Sequence, residues 1–240
     1  MAAGMHAPVI TDVVTNPVYH RYEEFFKAWN VSHADLNMVM NAWIVMGILI
    51  ISALIVRSRL STVPNQHQNF WEVVVSTLED LLVQTMGERG RPYFPLIATL
   101  ALYIVGCNLI GILAGFSSAT NNLNTTLSLA LVSFLMTHWV GFRAHGLRYY
   151  KHFLGPIPAL IPLMLPIEII SHLSRVLSLS FRLFGNIMGE DIAVVILTLL
   201  VPYFVPLPMM FLQVFTSLIQ TLVFIMLTMM YITGSLEEAH

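Results

Sequence analysis

Uncharged apolar stretches alternate with short polar segments along most of this chain. From Met38 to Val56 the run MVMNAWIVMGILIISALIV carries no charge. It is long enough to cross roughly 30 Å of hydrocarbon as a helix, and Arg57 and Arg59 close it. After Pro64, FWEVVVSTLEDLLVQTMGERG sets Phe70, Val73, Val74, Leu78, Leu81 and Leu82 at helical spacing opposite Glu72, Glu79 and Asp80. That pattern predicts an amphipathic helix over about 69–88, lying on the membrane surface or against a partner. No charged residue stands between Arg91 and Arg143. The polar SSATNNLNTT at 117–126 divides that region into a hairpin of two spans, about 93–115 and 125–142. Beyond a basic, Pro-rich segment come two longer apolar stretches, about 160–200 and 206–233, separated by VPYFVPLP.

The prediction is an all-α integral membrane protein with five transmembrane helices and one surface helix, the last two spans forming a hairpin. Residues 1–37, polar and broken by Pro8 and Pro17, form an extramembrane segment, and 38–240 form a single membrane domain. Composition agrees, with 57% of the 240 residues hydrophobic and only 10% charged, far below the roughly 25% of soluble domains. Mean hydropathy is +0.76. The net charge of −2 and the lack of a basic run give no nucleic-acid signal. The single cysteine, Cys107, excludes a disulfide framework or a thiolate metal site within the chain. The N-terminus lacks the positive segment and apolar core of a secretory signal, so the first span is expected to direct insertion.

Lysine and arginine placement sets the expected orientation. The segments 57–91 and 143–156 are basic, whereas the loops at 116–124 and 201–208 carry no basic residue. The N-terminal segment has only Arg21 and Lys27. The N-terminus is therefore expected outside and the C-terminus inside. No repeat of 20–50 residues is present, which counts against an inverted-repeat transporter.

The fourth span carries Glu168, Arg175, Arg182, Glu190 and Asp191. Each costs on the order of 3 kcal/mol or more facing lipid near the membrane centre. At 100° per residue, Glu168, Arg175 and Arg182 drift only about 20° per step, and Asn186 and Glu190 continue the stripe. Ser171, Ser178 and Gly189 flank it. Arg182 lies near the middle of the span and remains protonated at any working pH, so it cannot relay protons. It can hold a fixed positive field that strips a proton or metal ion from a carboxylate carried past it, separating two aqueous half-paths. On the last span, Gln213, Thr216, Ser217, Gln220 and Tyr231 share one side, with Gln220 a candidate to bond Arg182 or its carboxylate partner. Ordinary interhelical hydrogen bonding also accounts for that neutral set.

The segment SLSFRLFGNIMGED at 178–191 resembles the signature of subunit a of F-type ATP synthases, approximately LxxRLFGNMxAGE. Asn108 in CNLIG, the NNLNTTLSLAL run with Asn124, and IQTLVFIMLTMMYI followed by an acidic tail are similar to other landmarks of that family, in order over about 90–238. The resemblance puts the family's essential arginine at Arg182, its asparagine at Asn186 and its last-helix glutamine at Gln220. It places Glu168, Ser171, Arg175 and Ser178 along a cytoplasmic half-channel, and makes Glu190 or Asp191 the acid of the outer one. Gln213 stands where some members carry histidine, and Asn122 and Gly111 stand where many carry aspartate. The implied function is a proton or sodium channel stator. The implied partners are a rotating ring of c subunits, peripheral-stalk b subunits and the other ATP synthase subunits, in a bacterial plasma (inner) membrane. No cofactor is implied, and ATP chemistry belongs elsewhere because no phosphate-binding glycine loop is present.

A secondary ion-coupled transporter is the alternative reading, using the same charges to bind a solute. A haem subunit is a weaker rival: His138, His145 and His152 recur every seven residues but begin at a helix end and run into the basic loop, only His138 and His172 come near what bis-histidine ligation within the membrane needs, and the histidines are read as interfacial. Neither HExxH nor GxSxG appears, which disfavours a protease.

Overall fold

The computed structural model describes residues 11–23, 32–58, 60–61, 64–113, 116–146, 161–201, 204 and 206–237. Lys27, Arg59, Arg148, Lys151 and His152, with the Pro-rich segment as far as residue 160, lie outside the described residues. Within them are seven α-helices: α1 Asp12–Arg21, α2 His33–Ser58, α3 Gln66–Met86, α4 Phe94–Ile112, α5 Leu123–His145, α6 Ile161–Leu200 and α7 Pro206–Glu237. A short 3-10 helix, Glu88–Tyr93, leads into α4. Five stretches are long and apolar enough to span a bilayer, and they coincide with the five predicted spans.

Helix ends follow local chemistry. The first span begins before its apolar run because Ser32 and Asp35 form a capping box. The Ser32 N–H donates to Asp35 Oδ2 at 2.9 Å and the Asp35 N–H to Ser32 Oγ at 3.2 Å. Asn122 caps α5 by accepting from the Asn124 N–H at 2.8 Å. Gly87 and Gly146 end α3 and α5 with φ of 68° and 57°, where a side chain would be strained. In the N-terminal segment Pro17 lies inside α1 rather than breaking it, and α1 is tied to α2 by the Thr15 hydroxyl donating to Asn37 Oδ1 at 2.5 Å.

The helix α7 is the hub, packing against α3, α4, α5 and α6. One apolar cluster joins Leu82 and Met86 of α3 to Ile97, Ile225, Met229 and Ile232. A second joins Leu100 and Ile104 to Leu129, Leu179, Leu183 and Phe224. The predicted surface helix thus docks its C-terminal half on α7 while Phe70 and Val73 stay exposed. Burial is uneven: 44% of the most apolar window is buried in the span containing α4, but 11% in α6. With 40 residues, α6 is about 60 Å long. That is twice the hydrocarbon thickness, so it must tilt or protrude.

Candidate functional site

The inward face of α6 is made by Val176, Leu179, Ser180, Leu183 and Ile187. The polar stripe runs about a quarter-turn round the helix from that face. There it meets α7 in antiparallel register. Arg175 lies over the Tyr231 ring at 5.4 Å, a cation–π distance. Asn186 Nδ2 donates to Gln220 Oε1 at 2.7 Å, and Glu190 has Thr216 as its hydroxyl neighbour. Steps of eleven and then four residues up α6 match equal steps down α7. Position 182 is therefore level with Phe224, which is fully buried among aliphatic side chains. With no polar group opposite, Arg182 turns outward and is exposed. None of the ion pairs among the described residues includes it. Gln220 bonds Asn186 rather than Arg182, and its Nε2 is buried without a partner among the described residues.

Towards residue 191, polar side chains join into a string. Asp191 accepts from Gln213 Nε2 at 2.8 Å and from Asn121 Nδ2 at 2.7 Å. The adjacent Asn122 donates to Asp35 Oδ1 at 2.8 Å. Asp35, Asn122, Asn121, Asp191 and Gln213 thereby link the start of α2 to α7. Glu190 points away from this string, and its Oε2 is buried without a protein partner among the described residues. Asn108 lies elsewhere, accepting from Thr120 at 2.5 Å and anchoring the hairpin loop. Asn124 contributes its backbone N–H to the cap while its side chain is exposed. Asp35 was not singled out by sequence reasoning; its one local signal is the Ser-x-x-Asp capping pattern.

Towards residue 168, a small cleft opens between α5, α6 and α7, lined by Ser133, His138, His172, Arg175 and Tyr231. Glu168 Oε1 is 3.2 Å from His172 Nε2. The His172 ring meets His138 edge-on at 5.0 Å, so these two histidines are part of the cleft wall. Ser171 is half-buried and Ser178 exposed on the open side of the same helix. Apart from Asn108, Asn124 and the Asn186–Gln220 pair, the candidate residues therefore fall into two polar clusters towards opposite ends of α6, with Arg182 between them.

Residues 39–233 match the family described as ATP synthase A chain. The chain is 49% identical over 219 residues to "ATP synthase subunit a" of Geobacter sulfurreducens, covering 91% of this chain and 96% of that protein. It is 51% identical over 211 residues to the protein of the same name from Trichlorobacter lovleyi, covering 88% and 92%. The similarity to that of Citrifermentans bemidjiense is 49% over 219 residues, covering 91% and 96%.

Proposed function

The chain belongs to the ATP synthase A chain family, and from that membership we propose that it is the ion-channel stator of the rotary enzyme, with Arg182 separating two half-channels. Membership makes it a multi-pass membrane-sector subunit that works with the other ATP synthase subunits. The observation that carries the proposal is Arg182 itself. It is a permanent cation near mid-span, exposed and without an ion-pair partner among the described residues. Facing lipid it would cost about 3 kcal/mol or more; facing a carboxylate on another subunit it is satisfied. Beside it, Ser178, Gly185 and Gly189 are exposed, and a Cβ on either glycine would meet nothing within 4 Å. Small residues let a second helix approach closely. The occupant of this face is a ring of c subunits, each carrying one carboxylate.

The string from Asp35 to Gln213 supports an outer half-channel in which Asp191 is the acid that exchanges the ion. Amide donors from the 116–124 loop and from α7 hold Asp191, and that loop is the one expected outside, whereas Glu190 lies nearer the stripe. An ion, H⁺ or Na⁺, enters there and neutralises a ring carboxylate, and the ring turns through lipid. On return, the field of Arg182 favours the charged carboxylate, and the ion leaves along Ser178, Arg175, Ser171 and Glu168 on the cytoplasmic side. Voltage supplies about 2.3 kcal/mol per charge per 100 mV. The N-terminus lies outside and the C-terminus inside a bacterial plasma membrane, and the remaining outer faces meet lipid and the peripheral-stalk b subunits.

Cross-linking tests the ring contact. Cys107 is the chain's only cysteine, so a Cys107→Ser background leaves introduced thiols unambiguous. Ser178→Cys should form a disulfide with a cysteine placed beside the ring carboxylate, and Trp43→Cys on α2 should not. Ring capture by position 43 and none by position 178 would defeat the proposal.

A further inference from the structure

The cleft at the 168 end of α6 holds more titratable chemistry than an aqueous passage needs. His138 projects from α5 and His172 from α6, with ring centroids 5.0 Å apart and planes at 76°. Each ring has one nitrogen assigned by an acceptor-only partner. His138 Nδ1 is 3.1 Å from the Phe134 carbonyl oxygen, so in the neutral ring Nδ1 carries the hydrogen and Nε2 the lone pair. His172 Nε2 is 3.2 Å from Glu168 Oε1, so there Nε2 carries the hydrogen and Nδ1 the lone pair. Among the described residues, the charged and titratable groups facing the pair across the cleft are Glu168 and Arg175 from α6 and Tyr231 from α7, while α5 adds the neutral Ser133 and Thr137. Arg175 is a permanent cation, so proton exchange at this wall belongs to the two imidazoles.

We propose that His138 and His172 are the proton-transfer couple of the inner half-channel, passing the proton released near Arg182 on to Glu168 and bulk water. The inference rests on the stator reading above. His172 is ten residues from Arg182 along α6, about 15 Å, and the cleft wall runs from His172 as far as Leu179 on that helix. The proton leaves the ring carboxylic acid as H⁺ and binds a lone-pair nitrogen of the couple, giving one imidazolium. A second proton leaves His172 towards the Glu168 carboxylate, which releases it to water. One proton enters and one leaves, so the couple ends each cycle neutral. Adjacent imidazoles can exchange a proton directly or through one water. The ion so handled is H⁺, because imidazole nitrogens accept a proton.

The test uses the whole complex in liposomes, with ATP synthesis driven by an imposed potential while the pH on the inner side is varied. His138→Asn and His172→Gln keep an N–H at each assigned position and remove the titration. Wild type should show a rate that changes with inner pH as the imidazoles gain and lose a proton. The double variant should be about tenfold slower or more, lose that inflection, and regain rate when free imidazole is supplied on the inner side. If the double variant assembles poorly, His172→Gln alone carries the test, since its amide retains the bond to Glu168. A wild-type rate and unchanged pH profile in an assembled variant would overturn the inference, as would transport driven by a sodium gradient at constant pH. Arg182→Ala is run in parallel. If it stays coupled, the stator reading fails. If it is inactive while the histidine variants behave as wild type, only the histidine couple fails.

Discussion

Arg175 and Arg182 sit seven residues apart on one helix and differ in what faces them. The first is covered by the Tyr231 ring, while the second is level with Phe224 and turns outward. A shared stripe does not imply a shared role; the neighbouring helix decides which charge is satisfied within the chain and which is left for a partner. Glu190 and Asp191 divide in the same way. Adjacent residues on a helix point about 100° apart, so only Asp191 reaches Asn121 and Gln213. Asp191→Asn keeps the shape and removes the exchangeable charge. It should lower ATP-driven ion transport by on the order of 10²-fold, the scale of a positioned proton-transfer group, with a smaller loss for Glu190→Gln. Transport in reconstituted vesicles measures both, and equal losses would show that the two acids do not divide the task.

Among the elements, close approach matters as much as hydropathy. A Cβ at Gly111 would come within 2.5 Å of Ser118 Cβ and 2.8 Å of the Ser118 backbone, so this glycine lets the hairpin loop fold back onto α4. Gly111→Ala should destabilise the purified subunit by about 1–3 kcal/mol, read as a lowered unfolding temperature in detergent. Adding Ser118→Gly should not restore it, because the backbone still collides. The five spans were legible in the sequence because long uncharged runs have few alternatives to crossing a bilayer. The polar stripe of α6 was legible because helical period is fixed. The Asp35–Asn122 bond was not, since it joins residues 87 apart through a loop. The His138–His172 contact was only half legible: His138 and His145 stand on α5, whereas the partner ring stands on α6. The Gln220–Asn186 bond likewise depends on the relative register of α6 and α7, which hydropathy does not encode.

The molecule as a whole is asymmetric. The four helices α4–α7 share two apolar clusters around α7, while α2 and much of α6 bury little within the chain. The open side of α6 carries Arg182, which has no ion pair among the described residues, and the small residues next to it, and polar clusters towards either end of the helix stop short of it. On the reading we propose, this arrangement is a stator surface: two partial paths, and between them a fixed charge that only a moving partner can pass. The most direct test replaces Arg182 with alanine in the whole complex and measures ATP synthesis under an imposed membrane potential. Synthesis should fall to background while the subunits still purify together in normal proportion. Synthesis at the wild-type rate from that complex would contradict the account.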